Sequence, residues 1–166
     1  TTYARNGGSG SYTWHLANIW VFRLNADMVI PAYTCSVNQF DSSVKLPDIT
    51  RNDLVTTGTG RYLNVNKAFK FNLSCDEGTT VSVTFDGDTM TGQDSVLVNK
   101  ESGNPNVGIQ VLFNNSTVVK MNEKLKIADS ATSQEIYTFN AYYFYNGGTV
   151  VGGPIRSVAT FTFEYN

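Results

Sequence analysis

Few residues in this chain have the chemistry and spacing of a catalytic group. His15 is the only histidine, so any Ser-His-Asp or Cys-His arrangement would have to use it. It lies in a stretch of alternating apolar residues, where a histidine that faces solvent from a strand is the simpler interpretation. Asp76 and Glu77 are adjacent after a predicted strand, and adjacent side chains there point to opposite faces. We therefore expect no catalytic residue and no enzymatic activity.

Metal and phosphate sites are also not indicated. Asp86, Asp88 and Asp94 superficially resemble a calcium loop but lack the EF-hand spacing and its bidentate Glu, so a solvated hairpin turn is expected. There is no histidine cluster and no Cys-x-x-Cys pair, which argues against zinc. The glycines of "TGTGR", residues 57–61, precede a predicted strand and not a helix, so they do not form a phosphate cradle. We expect no metal and no cofactor.

The composition describes a single weakly charged domain. The chain has 166 residues, which is enough for one domain with a substantial core. Its net charge of −2 gives no reason to expect a nucleic-acid or membrane-surface partner. No apolar run is long enough to cross a bilayer. The start of the chain lacks a basic segment followed by an apolar stretch, so we expect that any signal peptide has already been removed.

Cys35 and Cys75 are the only cysteines and allow one intrachain pairing. In a reducing compartment they would be free thiols, and the sequence does not state its compartment. Cys75 ends an alternating strand and Cys35 follows one, which suits a disulfide that joins two neighbouring strands. If it forms, loop-closure entropy gives a stabilisation of about 4 kcal/mol.

Alternation of apolar and polar residues is the dominant pattern, and it predicts strand after strand. It runs through residues 65–75, 81–85 and 107–113, and turn residues follow the second and third of these runs. "STVVKMN" reads as the returning strand of a hairpin, and the aromatic "EIYTFNAYYFYN" ends at "NGG". No convincing amphipathic helix is visible. Short strands separated by turn signals predict an all-β sandwich, whose aromatic residues mostly pack in the core.

The N-terminal segment differs from the rest. Residues 1–10 look flexible, and "GGSG" reads as a natural loop or an artificial linker. A run of apolar residues then occupies even positions, broken only at Asn18: Tyr12, Trp14, Leu16, Trp20, Phe22, Leu24, Ala26, Met28 and Ile30. A single strand of that length would span roughly 60 Å, too long for one sandwich strand. We expect two elements, one that ends near Leu24 and one that starts near Asp27.

Six stretches together resemble the pilin domain of chaperone–usher fimbriae: "PAYTCSVN", "VKLPDI", "FKFNLSC", "VSVTFDG", "VGIQVLFN" and "GGPIRSVATFTFEYN". In that family a cysteine near the first strand pairs with one at the end of the third. The last strand has a penultimate aromatic residue, here Tyr165, and a glycine fourteenth from the end, here Gly153. The resemblance covers about residues 27–166.

The resemblance implies an incomplete immunoglobulin-like β-sandwich that is completed by a donor strand. A periplasmic chaperone would cover the apolar groove first, the next fimbrial subunit would replace it, and an outer-membrane usher would assemble the fibre. The protein would then be extracellular, in the fimbrium, and periplasmic during assembly. Ala159, Phe161 and Phe163 would lie along the groove, with Tyr165 near its end. Alternation alone would favour packing of these residues in a complete sheet.

The segment "IWVFRLNADMVIPAYTC" resembles the junction of type 1 fimbrial tip adhesins, where the last strand of a lectin domain leads into the pilin domain. That likeness implies a lectin-domain remnant and linker at 1–26 and a pilin domain at 27–166. Host glycan would be bound only through a lectin domain that is not complete in this chain.

Two alternatives remain open. In a minor or adaptor pilin, residues 11–24 would be a donor strand whose groove-facing residues are Trp14, Leu16, Trp20, Phe22 and Leu24. The family's donor strands usually carry a small residue, often Gly, at a groove-facing position, and no Gly lies between Ser11 and Pro31. In a carbohydrate-binding sandwich of another class, Trp14, Trp20 or Tyr142 would stack on a sugar.

Overall fold

Strands form most of the computed structural model, which describes residues 4–8, 11–15 and 33–166. The larger sheet has eight strands: β3 Cys35–Phe40, β4 Gly60–Arg61, β5 Lys67–Cys75, β7 Thr89–Met90, β8 Gln93–Leu97, β9 Val107–Phe113, β10 Thr117–Val118 and β12 Gln134–Tyr145. Six of them follow one another in the order β3-β5-β12-β9-β8-β7. The two short strands β4 and β10 add to this row, β4 beside β12 and β10 beside β9.

The smaller sheet has three antiparallel strands: β6 Val81–Asp86, β11 Lys124–Ala128 and β13 Thr160–Tyr165. Their order is β11-β6-β13. The alternation read from the sequence matches burial here, because Val81, Val83 and Phe85 are buried while the residues between them are partly exposed. The strands predicted at 65–75, 81–85, 107–113 and 135–146 correspond to β5, β6, β9 and β12. The returning strand of "STVVKMN" is also present, as the short β10.

The N-terminal residues form a hairpin of two strands, β1 Ala4–Gly8 and β2 Ser11–His15. The expectation that residues 1–10 are flexible is therefore wrong for 4–8, which pair with β2. The hairpin lies beside β13 but forms a sheet of its own. The predicted elements that end near Leu24 and start near Asp27 lie outside the described residues.

One helix contradicts the expectation of none. α1 spans Arg51–Thr57, and the Thr50 hydroxyl caps it by accepting a hydrogen bond from the Asp53 N–H at 3.0 Å. Gly58, with φ at 93°, ends it in a conformation that favours glycine. The helix has seven residues and Leu54 is the only one of them that is buried. A single buried position gives the sequence no helical period.

The core lies between the two sheets and is largely aromatic. Phe71 of β5, Phe139 of β12 and Phe163 of β13 are almost completely buried. The ring of Phe71 lies 5.7 Å from that of Phe139 and 5.2 Å from that of Phe163, in edge-on geometries that aromatic pairs favour. These contacts join both sheets, so the last strand is part of the central core.

A disulfide between Cys35 and Cys75 confirms the predicted pairing. The two cysteines lie directly opposite each other in the ladder between β3 and β5. The bridge therefore fixes the start of the first sandwich strand to the end of its neighbour.

Candidate functional site

The outer edge of β13 has no strand paired to it among the strands the structure describes. Its other edge pairs with β6, with Phe161 opposite Phe85 and Phe163 opposite Val83. β1 approaches both β3 and β13, and no ladder links it to either. An unpaired edge presents a row of N–H and C=O groups that can pair with another chain.

The segment before β13, residues 151–159, belongs to no strand. Its inner side is attached to the chain after β8. The Lys100 N–H donates to the Arg156 carbonyl at 2.6 Å, and the Arg156 N–H donates to Oδ1 of Asn99 at 3.0 Å. No described residue forms a hydrogen bond with the backbone N–H or C=O of Ile155 or Ser157.

Residues 41–50 form the facing wall and also lie outside any ladder. The wall is attached at its start, where the Asp41 N–H donates to the Lys70 carbonyl at 3.2 Å. The Lys70 N–H donates to the Asp41 carboxylate at 2.9 Å. Further along, the Tyr143 hydroxyl donates to the Pro47 carbonyl at 2.9 Å. The chain thus has two segments that belong to no strand and that line one gap.

The gap between these walls is a groove with a volume of about 1210 Å³. Most of the side chains that line this gap are apolar. One wall contributes Val44, Leu46 and Ile49, the other contributes Ile155, Val158, Ala159 and Phe161, and the floor is formed by Phe69, Phe71, Phe85, Leu97, Ile109, Val111, Ala141 and Tyr143. We call this the groove below.

The structure divides the residues proposed for the groove into two sets. Gly153, Ala159 and Phe161 line it. Phe163 and Tyr165 are 0% and 2% exposed and belong to the central core. The side chain of Trp14 and the residues Leu16, Trp20, Phe22 and Leu24 lie outside what the structure describes.

Sequence reasoning did not assign the wall at residues 41–50 to the site. Its signal is present in "VKLPDI", where Val44 and Leu46 alternate with polar residues before a proline. The floor residue Ala141 was not assigned to the site either; it shares a face of β12 with Phe139 and lies opposite Val111 of β9.

Two tyrosine hydroxyls, one in the groove lining and one in the adjoining core, keep their protons at neutral pH. Burial, with a smaller effect of Asp48, raises the pKa of Tyr143 above its ordinary value. Burial also raises the pKa of Tyr165 to about 12. Both hydroxyls are therefore neutral at physiological pH. What the groove can do is bind an apolar segment and pair with its backbone.

Metal ligands and long apolar helices are both missing from the part of the chain that the structure describes. There, no three His, Cys, Asp or Glu side chains come together in a way that would hold a metal ion. Within the same residues, no helix has the length and apolar character needed to cross a bilayer.

Comparison with known proteins gives one family and several similar folds. The model of the fimbrial protein family matches residues 24–166. The type 1 fimbrin D-mannose specific adhesin of Escherichia coli (strain K12) is 25% identical over 148 residues. The match covers 89% of this chain and 45% of that protein, so the chain spans less than half of the relative's length.

Solved structures of pilus proteins share the architecture. The P pilus rod subunit PapA matches with a TM-score of 0.62 and 18% identity, over 80% of this chain and 99% of that one. A chain from the structure of a chaperone–usher pilus matches with a TM-score of 0.59 and 17% identity, over 80% and 87%. The CupB6 tip adhesin of Pseudomonas aeruginosa matches with a TM-score of 0.53 and 17% identity, over 63% and 30%.

These likenesses confirm the predicted all-β pilin sandwich, and the family match extends over most of the chain. The chain belongs to the fimbrial protein family.

Proposed function

We propose that this chain is the structural and assembly domain of a fimbrial tip adhesin, and that its groove accepts a donor strand from another protein. The family consists of structural, non-enzymatic proteins of extracellular fimbriae, which are assembled through the periplasm. A periplasmic chaperone occupies the groove first, the next fimbrial subunit replaces it, and the outer-membrane usher is where the exchange occurs. The observation that carries the proposal is the groove itself, an apolar gap beside β13, whose outer edge forms no ladder with a described strand.

Strand addition needs two things, and the groove supports both. The first is a row of backbone groups that a partner can pair with, which the open side of residues 155–157 and the edge of β13 offer. The second is a set of apolar positions for alternate side chains of the partner, which the floor provides. When a strand is added to an open sheet edge, its backbone hydrogen bonds give affinity and the positions of its alternate side chains give specificity.

Phe161 offers the most direct test of the groove. It lines the groove from β13, so Phe161→Asp places a charge on a surface that must become buried. We expect the variant to lose co-purification with the fimbrial chaperone when both are expressed in the periplasm. Ile136→Asp is the matched control, because Ile136 is 63% exposed on β12 and does not line the groove. Equal capture of both variants would contradict the proposal, provided that circular dichroism shows Phe161→Asp to be folded. Ala159→Asp replaces it if it is not.

The tip-adhesin assignment is tested separately from the groove. The domain division at 26/27 is part of the proposal, and it is consistent with a family match that begins at residue 24. We expect deletion of residues 11–24 to leave incorporation beside a neighbouring subunit unchanged. In the adaptor alternative these residues are the donor strand, and the same deletion would leave the domain folded but unable to join that neighbour. Pilus assembly with the truncated chain distinguishes the two.

A further inference from the structure

The smaller sheet has an open edge on β11 as well as on β13. β11 pairs with β6 and forms no ladder with any other strand that the structure describes. Unpaired N–H and C=O groups at the edge of a sheet can pair with another chain, whichever edge it is. A strand that is to be added at β13 alone must therefore be kept away from β11.

The two edges differ in charge. β11 reads Lys-Leu-Lys-Ile-Ala, with Lys124 and Lys126 exposed and with Leu125 and Ile127 partly buried against the core. β13 contains neither lysine nor arginine, and its only charged residue is Glu164. Lysines on an edge strand oppose pairing, because a docked strand would remove water from their charges.

The ladder of β11 is also irregular where that of β13 is not. Residues 124–126 lie opposite residues 84–82 in regular order, and the register then shifts so that Ile127 has no partner on β6. The ladder of β13 with β6 runs from Thr160 to Tyr165 without a shift. A bulge bends its strand and increases the local twist. The regular part of the β11 edge is therefore a leucine between two lysines.

Both lysines have a carboxylate partner and still remain exposed. The Lys124 ammonium contacts the carboxylate of Glu164 on β13, and the Lys126 ammonium contacts that of Asp129. The two lysine side chains keep 59% and 58% of their surface exposed. Exposed ion pairs contribute little to stability, and these leave both charges in water. A strand docked on β11 would have to desolvate them.

A second copy of the chain would meet these lysines in every register that keeps Leu125 turned toward the interior. Two antiparallel β11 strands that satisfy this condition place odd-numbered residues opposite odd-numbered ones. When the pairing is centred on Leu125, each Lys124 lies opposite a Lys126. A shift by two residues in either direction sets Lys124 opposite Lys124 or Lys126 opposite Lys126. Like charges directly opposite each other in a ladder are destabilising.

We propose that Lys124 and Lys126 decide which edge of the small sheet accepts a strand, because they exclude a second copy of this chain from β11. The inference goes beyond the proposed function and rests on it only for the role of β13 as the acceptor. Without the two charges, β11 would present Leu125 and Ile127 in alternation beside an open backbone. Uncharged segments of this kind associate through their edges, and charged residues within them prevent it.

Replacement of the two lysines tests this inference. In the full chain, Lys124→Thr with Lys126→Thr removes both charges and keeps side chains that favour strands. We expect this variant to dimerise about tenfold more tightly than wild type in sedimentation velocity. Hydrogen exchange should slow at residues 124–127 in the dimer, which places the contact on β11. A folded variant that self-associates no more than wild type would overturn the inference.

Lys67→Thr with Lys70→Thr is the matched control. Both lysines are exposed on β5, which has β3 on one side and β12 on the other. The control removes the same two charges from the chain, so it separates an effect of the edge from a general loss of solubility. It should self-associate as wild type does. Equal dimerisation of the control and the β11 variant would show that the edge has no special part and would also overturn the inference.

Charge reversal decides if the threonine variant does not fold. A chain with Lys124→Glu and Lys126→Glu should not pair with itself but should pair with wild type, because each lysine then lies opposite a glutamate. Both proteins carry a net negative charge, so their overall charge opposes this association. High salt should weaken the mixed dimer by screening the edge charges. If no mixed dimer forms, the inference is overturned.

The outcomes separate this inference from the proposed function. If the β11 variant dimerises but no periplasmic chaperone captures wild-type protein, the exclusion at β11 stands and the acceptor role of β13 is overturned. If the chaperone captures wild-type protein but the β11 variant stays as monomeric as wild type, the groove function stands and the exclusion at β11 is overturned.

Discussion

The rings of Phe40 and Phe161 meet across the groove, with centroids 5.0 Å apart and an interplanar angle of 70°. Phe40 belongs to β3 and Phe161 to β13, which lie in different sheets and share no ladder. Both rings also contact Phe71 of the core, Phe161 at 4.7 Å and Phe40 at 6.1 Å, and Phe40 remains 41% exposed. This ring pair bridges the two walls at one end of the groove.

The bridge predicts an effect on the rate of strand insertion. A strand that runs the full length of the groove must displace the ring of Phe40, and an edge-on aromatic contact is worth about 1 kcal/mol. We expect Phe40→Ala to raise the association rate of a donor peptide by roughly fivefold, measured by stopped-flow fluorescence. Tyr33→Ala is the control, since Tyr33 is an exposed aromatic residue outside the groove lining. An unchanged rate in Phe40→Ala would show that the bridge does not limit entry.

The disulfide predicts a loss of stability when either cysteine is replaced. Cys35→Ser should lower the free energy of unfolding by about 2–4 kcal/mol, because the unfolded chain gains the freedom that the bridge removed. Urea denaturation of oxidised protein measures it. Cys75→Ser should give a similar loss, and the double variant should add little to either. A melting temperature equal to that of wild type would mean that the bridge does not contribute.

We expect replacement of Asn104 to lower the stability of one end of the groove wall. Its side-chain amide donates to the Val151 carbonyl at 2.8 Å and accepts from the Val151 N–H at 2.8 Å. Asn104 is buried and has φ at 45°, so Asn104→Gly keeps the backbone conformation and removes only the amide. We expect a loss of about 1–2 kcal/mol, since two partly buried backbone groups of Val151 lose their partner.

Hydrogen exchange gives this prediction its specific readout. The Val151 amide should exchange much faster in Asn104→Gly than in wild type. Asn38→Ala, which removes an exposed side-chain bond to Ser74, serves as the control and should leave that amide protected. Uniformly faster exchange over the whole chain would indicate global destabilisation and contradict a local role.

We expect the folded protein to lose stability in alkali, because Tyr165 is buried with its proton. Its pKa is raised from 10.0 to about 12 by burial, so the folded state holds the proton more tightly than the unfolded chain does. The stability that this provides is complete below pH 10 and is lost as the pH rises from 10 through about 12. Urea denaturation across this range should show a shallower decline for Tyr165→Phe than for wild type. Parallel declines would show that another group is responsible.

The strands could be predicted from the sequence, whereas the groove could be predicted only in part, and the reason is physical. The face of β6 follows from a period of two, which the sequence displays directly. Residues 41–50 belong to no strand, although Val44 and Leu46 give the same pattern as a paired strand would. The sequence therefore could not show whether this segment is paired.

The helix and the floor show two other limits. α1 is set by the Thr50 cap and Gly58, and a single buried residue gives no periodicity to read. Phe163 and Tyr165 share a face with Phe161, so alternation could not separate core residues from groove residues. That separation depends on where each residue lies along β13, since Phe161 lines the groove while Phe163 and Tyr165 are buried in the core.

The pairing of β13 with β6 has a consequence for folding kinetics. It joins segments far apart along the chain, as do the ladders of β12 with β5 and of β3 with β5. Domains dominated by such non-local contacts fold in milliseconds to seconds and not in microseconds, because long loops must close before any contact is gained. Until the last strand docks, the aromatic interior stays accessible to neighbouring molecules, so the delay itself exposes the chain to misassembly in a crowded compartment.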